Sequence, residues 1–170
     1  LPYEINIIEN PKTSLDIMEN VVVSTLELEH SSPCLGYSFY FKRRPKFDVN
    51  MAISNKVPKL LWNRLQKGEI INHEGSYYEP NMVLGNERVG IKVSLVTDTR
   101  PIDSIPEFIK NSDLFICEGT YGDSNDIDKA IKNKHMTFEE AAELARKGEA
   151  YELLLTHFSP AMIDADSFKE

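Results

Sequence analysis

Four apolar runs in this sequence each end in a residue able to do chemistry, and this limits the fold more than any other feature. Leu26-Glu27-Leu28-Glu29 leads into His30, and Val93-Ser94-Leu95-Val96 leads into Thr97-Asp98-Thr99-Arg100. Leu114-Phe115-Ile116-Cys117 leads into Glu118, and Leu153-Leu154-Leu155 into Thr156-His157-Phe158-Ser159. Runs this short, alternating or wholly apolar, read as strands. Segments with helical signals lie between the later ones, so the pattern predicts an α/β layered domain. In such folds rigid strands position active groups and the following loops expose them.

Other elements follow from local signals. Asn20–Glu29 and Gly36–Phe41 read as strands paired in a hairpin across the His30–Leu35 turn, with Tyr37, Phe39 and Phe41 on one face. Tyr3–Ile8 is a further short strand. Ile91–Thr97, Asp113–Cys117 and Tyr151–Thr156 are the later strands, and Asn72–Gly90 is loop-rich with strand pieces near Tyr77. Pro58 opens a helix through Leu61, Trp62 and Leu65 that Gly68 stops. Helices are predicted over Ile102–Lys110, despite Pro106, and around Asp126–Asn133. Thr137 with Glu140 three residues on forms a capping box, and Gly148 marks the far end of that helix.

Composition excludes several classes. The chain is 41% hydrophobic and 27% charged, which argues against disorder. No apolar run approaches the ~18 residues that would span a bilayer. The start carries neither a basic nor an apolar leader region, and Cys34 and Cys117 form no Cys-x-x-Cys pair. Both cysteines read as small buried residues. The expectation is a soluble, reduced, cytoplasmic protein with no membrane partner. The net charge of -8 is uneven: Lys42 to Lys67 holds eight basic residues and one acid, a net of +7, against -15 elsewhere. Such asymmetry can mark a patch for polyanions, although a solvated helix surface is the plainer reading of charge alone. The segment reads as an excursion from the core at about 42–68, not as a second domain.

Singly, a histidine at a strand end is commonly a hydrogen-bonded structural residue, and Asp98 can merely cap a turn. Together, His30, Asp98 and His157 supply imidazoles and a carboxylate suited to divalent metal. A two-metal centre needs more ligands than these three. Glu118 and His135 could add outer-sphere or proton-transfer roles. The residues alone raise a metal hydrolase without establishing one.

Five motifs, in order, resemble the ribonuclease Z family of the metallo-β-lactamase superfamily, endonucleases that mature transfer RNA 3′ ends. They are His30-Ser31-Ser32-Pro33-Cys34-Leu35-Gly36-Tyr37, Thr97-Asp98-Thr99-Arg100, Cys117-Glu118-Gly119-Thr120-Tyr121, His135-Met136-Thr137 followed by Glu140-Ala141-Ala142, and Leu155-Thr156-His157-Phe158-Ser159. Thr97 stands where the family has Gly. Three positions of the family's His-Glu-Ala-Thr-Phe motif differ, while Glu118 and Thr120 are kept.

The resemblance implies the C-terminal half of an αββα sandwich, with residues 1–170 as a partial domain. It implies two divalent metal ions, zinc by family habit, with His30 on one, His157 on the other and Asp98 bridging. Glu118 and His135 would have the catalytic role of assisting proton transfer at the scissile phosphate. The basic excursion would be the arm that grips the transfer RNA precursor, through Lys42, Arg43, Arg44, Lys46, Lys59 and Arg64. The family's His-x-His-x-Asp-His motif, which supplies most ligands, does not occur in these 170 residues. The expectation is therefore an incomplete site, with an apolar sheet face needing an N-terminal half or a dimer partner. Two alternatives stand beside it: another metallo-β-lactamase-fold hydrolase acting on small phosphodiesters or esters, and a non-catalytic half or subunit.

Overall fold

The computed structural model describes residues 4, 5, 7, 15–160 and 162. The chain divides into two compact units: residues 1–41 with 91–170, and residues 42–90.

The first unit is built on a sheet. Among the described residues, its strands run β1 (Leu15–Met18), β2 (Val21–Leu28), β3 (Cys34–Arg43), β6 (Arg88–Val96), β7 (Leu114–Glu118) and β8 (Leu153–Thr156), side by side in that order. β2 and β3 form the expected antiparallel hairpin, in register from Val21 opposite Phe41 to Leu28 opposite Cys34. β6, β7 and β8 are parallel, with Val96 level with Cys117 and Glu118 level with Thr156. β1 was not expected. The strand expected over Tyr3–Ile8 falls largely outside the described residues.

Three helices of this unit follow the later strands: α3 (Ile105–Phe108), α4 (Ile127–Asn133) and α5 (Phe138–Lys147). α5 has the expected ends: Thr137 Oγ1 accepts from Glu140 N, Glu140 returns to Thr137 N, and Gly148 is the C-cap. α3 is shorter than expected. Pro106 confines its start, and Asn111 turns left-handed just beyond its end. Lys92 Nζ donates to the carbonyls of Phe108 and Lys110 at 2.7 and 2.9 Å, satisfying that end. Burial pushes the Lys92 amine below its ordinary value.

One face of the sheet is covered. Val96, Phe115 and Cys117 pack with Ile105, Ile109, Met136, Ala141, Leu144 and Ala145, and Leu26 and Leu28 join from β2. Gly36 keeps this layer thin: a Cβ would lie tightly, 3.3 Å from Val96 Cγ2 and 3.4 Å from Leu95 O. The other face carries Tyr37, Ile91 and Leu154, which are 37%, 42% and 51% exposed. Phe39, Val93, Leu95, Leu114 and Ile116 lie on the same face, partly exposed. The aromatic alternation in β3 is as expected, but its buried face is the small one, Gly36 and Ser38.

The second unit has its own small core of Ala52, Val57, Leu61, Leu65, Ile71 and Val83, flanked by Phe47, Trp62 and Tyr78. α1 (Val49–Ser54) starts where Asp48 accepts from Met51 N at 3.0 Å. A 3-10 turn at Lys59–Leu61 leads into α2 (Trp62–Gln66), close to the helix expected after Pro58. β4 (Ile71–His73) and β5 (Ser76–Tyr78) form a hairpin whose turn residues Glu74 and Gly75 both have positive φ. This unit extends to Gly90, well past the basic run. No helix among the described residues is long and apolar enough to cross a membrane.

Candidate metal centre

The carboxyl ends of parallel strands are where open α/β sheets gather ligands. Here β6 delivers Asp98, β7 delivers Glu118 and β8 delivers His157, while the β2–β3 turn brings His30 and the α4–α5 junction brings His135. Asp98 and His157 follow their strands in left-handed backbone, at φ 53° and 57°, as does Lys134 before His135 at 59°. Non-glycine residues in this region cost about 1–3 kcal/mol each and cluster at functional sites.

Glu118 is the hub. It is fully buried, and both oxygens are taken. Oε1 accepts from Thr99 N at 2.6 Å; Oε2 accepts from Thr120 Oγ1 at 2.7 Å and Met136 N at 3.1 Å. His135 Nδ1 lies 3.1 Å from Oε2 and 3.3 Å from Oε1. A carboxylate with this many donors tolerates complete burial. Among the described residues, no buried side-chain nitrogen or oxygen lacks a partner.

The same contacts fix the imidazoles. His135 Nδ1 faces an acceptor-only carboxylate, so it carries the proton and leaves Nε2 free. His30 Nδ1 lies 3.1 Å from the Lys134 carbonyl, so it too must donate. Thr120 Oγ1 is 3.1 Å from the His157 carbonyl and 2.7 Å from Glu118 Oε2. The shorter, charged acceptor takes its single proton. Thr120 Oγ1 is then the acceptor for His157 Nδ1 at 3.3 Å. All three rings thus hold Nδ1 against protein and offer Nε2, the usual arrangement of metal-ligating histidine.

The rings are neighbours, with centroids 5.1 Å apart for His30 and His135, and 5.2 Å for His135 and His157. His157 Nε2 is 3.2 Å from Asp98 Oδ1, with 44% and 40% of the two side chains exposed. This distance suits a ring N–H donating to the carboxylate, and equally two ligand atoms held around one cation. Ligand atoms of His30, Asp98 and His135 lie within 4.8 Å of one another, as do those of Glu118, His135 and His157. The donor set of imidazole and carboxylate suits a divalent metal of zinc type. All three rings line an open cleft of about 560 Å³, with Tyr121, Asn133 and Phe158 on its walls.

The five expected site residues therefore converge. The six expected RNA-binding residues belong to the other unit and are exposed. Arg64 Nε donates to Glu69 Oε2 at 2.8 Å, and Lys59 Nζ sits 5.9 Å from the Trp62 ring centroid. The cysteines take no part in the candidate groups. Burial pushes the Cys117 thiol far above its ordinary value, and burial followed by the Asp98 charge raises Cys34. The sequence reading gave no role to Thr99, Arg100 and Thr120, although all three lie inside the quoted motifs.

A curated ribonuclease Z of Clostridium beijerinckii is 61% identical over 174 residues, covering 99% of this chain. Over nearly its whole length the chain is homologous to ribonuclease Z. It spans a little over half, 56%, of that relative. No family model matches the chain. Among solved structures, the metallo-β-lactamase-fold protein YhfI of Bacillus subtilis matches with a TM-score of 0.55 at 20% identity, covering 90% of this chain and 42% of its own. Human tRNase Z, short form, matches with a TM-score of 0.53 at 24% identity, covering 87% and 41%. The sheet and its helices are thus part of a metallo-β-lactamase fold, matching less than half of either structure. Where the ribonuclease Z motif quoted above has Ala, this chain has Gly119. A Cβ there would lie 2.7 Å from the Phe138 ring.

Proposed function

We propose that the full-length protein is a zinc-dependent endoribonuclease that removes 3′ trailers from transfer RNA precursors in the cytoplasm. This chain would carry part of its active site. The observation supporting this most directly is the clustering of three imidazole rings with Asp98 at the carboxyl end of the sheet, His157 Nε2 lying 3.2 Å from Asp98 Oδ1, with each Nδ1 beside a protein oxygen.

His30 and His157 would each hold one of two metal ions through Nε2, and Asp98 would bridge them. When bound, the metals supply Lewis acidity at phosphorus and an activated water. His135 then moves a proton. Its Nδ1 is committed to Glu118, which orients the ring, so Nε2 would take up a proton from solvent and pass it to the oxygen leaving phosphorus. Glu118 is buried and saturated with donors, so it holds His135 in place and exchanges no proton itself. The exposed basic residues Lys42, Arg43, Arg44, Lys46, Lys59 and Arg64 would bind the RNA backbone. The half-exposed apolar sheet face fits coverage by the remainder of the full-length protein, or by a second copy.

The test is cleavage of a trailer-bearing transfer RNA precursor by the full-length protein, with product ends mapped. Cleavage at the trailer junction, lost in His157→Ala, is the expected result. Cleavage that survives His157→Ala would overturn the proposal. Turnover of small phosphodiesters without RNA cleavage would also overturn it, in favour of a different hydrolase.

A further inference from the structure

We propose that Arg100 is a positioning residue that holds His135 in register with His30 and Asp98. The inference rests on the reading that His135 moves a proton.

Arg100 follows Asp98 by two residues and joins three chain segments. Its backbone N–H donates to the carbonyl of Glu29, next to His30, at 3.1 Å. Its guanidinium donates through Nη1 to the backbone carbonyl of His135 and to Glu140 Oε2, and through Nη2 to Glu140 Oε1. Glu140 Oε2 also accepts from Thr137 N at 2.9 Å, at the start of α5. The pair is largely sequestered, with 16% and 22% of the side chains exposed. Screening there is weaker than for a surface pair.

His135 is therefore gripped at three points. Its N–H donates to the carbonyl of Ala130 at 2.9 Å, its ring donates to Glu118, and its carbonyl accepts from Arg100. Of these, only the Arg100 contact runs to the segment that carries Asp98. Arg100 itself does not line the cleft, so it acts on the site through His135. A planar fork serves a carbonyl and a bidentate carboxylate together; the single ammonium head of lysine does not reproduce that.

The full-length protein tests this through Arg100→Lys and Glu140→Gln, the latter leaving an acceptor for Thr137 N. Each variant should keep its folding transition and lower kcat by roughly 10- to 100-fold, with KM within about twofold, as expected when a reacting group is misplaced. Added guanidinium should restore part of the activity of Arg100→Ala. The ring resonances of His135, read by NMR without substrate, should shift in Arg100→Lys. Unchanged kcat in both folded variants would overturn the proposal, as would unmoved His135 resonances. Wild-type protein that cleaves no RNA would defeat the functional reading only. The resonance comparison would still decide whether Arg100 positions His135.

Discussion

The two units use charge in opposite ways. Residues 42–90 carry a net charge of +4, and the remainder of the chain -12. In the first unit the groups that matter are tied to defined partners: Glu118 has no exposure, and Thr99, Thr120, His135 and Met136 all converge on it. In the second unit all eight basic residues of the Lys42–Lys67 run are exposed. Chemistry at phosphorus needs atoms fixed to fractions of an ångström, which rigid strand ends and buried hydrogen bonds supply. Contact with a phosphate backbone needs charge more than geometry, so exposed side chains on a small separate core suffice.

The largest expected effect breaks the first unit's network. His157→Ala should abolish RNA cleavage by the full-length protein, exceeding the ~10- to 100-fold loss typical of an outer-sphere partner. Thr120→Val sharpens the same point. It removes a hydroxyl that orients His157 and satisfies Glu118, so metal affinity or kcat should fall by about 10- to 100-fold. Metal titration and steady-state kinetics check both.

Neutralising Lys42, Arg43, Arg44 and Lys46 together should act differently. It should weaken RNA binding and flatten its salt dependence by about 0.7–0.9 log units per lost phosphate contact, leaving small-phosphodiester turnover unchanged. Equal loss on both substrates would erase the contrast between the units. The smallest effects concern packing alone. At Gly148 a Cβ would lie 2.4 Å from Ile109 Cγ1, and at Gly119 it would lie 2.7 Å from the Phe138 ring. Alanine at either should cost about 1–3 kcal/mol by overpacking, read as a lower denaturation midpoint. The loss should be greater at Gly148, where the Pro106 carbonyl also crowds the site at 3.1 Å.

The sequence revealed the two units unequally. Strands β7 and β8 are continuous apolar runs and β6 an alternating one, closed by Glu118, His157 and Asp98 respectively, so both element and site could be read directly. α5 announced itself through Thr137, Glu140 and Gly148. The second unit was harder. α1 buries only Ala52 and has no apolar stripe, so the Asp48 cap was its sole signal. The core residues Ala52, Leu61, Ile71 and Val83 are spread too widely to show any period. β1, four residues at an edge, offers little alternation. Within the site, the candidate ligands stood out by residue type. The bracing roles of Thr99 and Arg100 depend on contacts 19 to 70 residues away, and Thr120 links Glu118, two residues before it, to His157, 37 residues on, beyond any local pattern.

The central claim is that the strand-end imidazoles and Asp98 hold metal. Elemental analysis of the full-length protein after dialysis tests it most directly, comparing wild type with the Asp98→Ala/His157→Ala double variant. The account predicts divalent metal retained in stoichiometric amount by the wild type and lost or sharply reduced in the variant. Wild-type protein without metal, or equal metal in both, would contradict it.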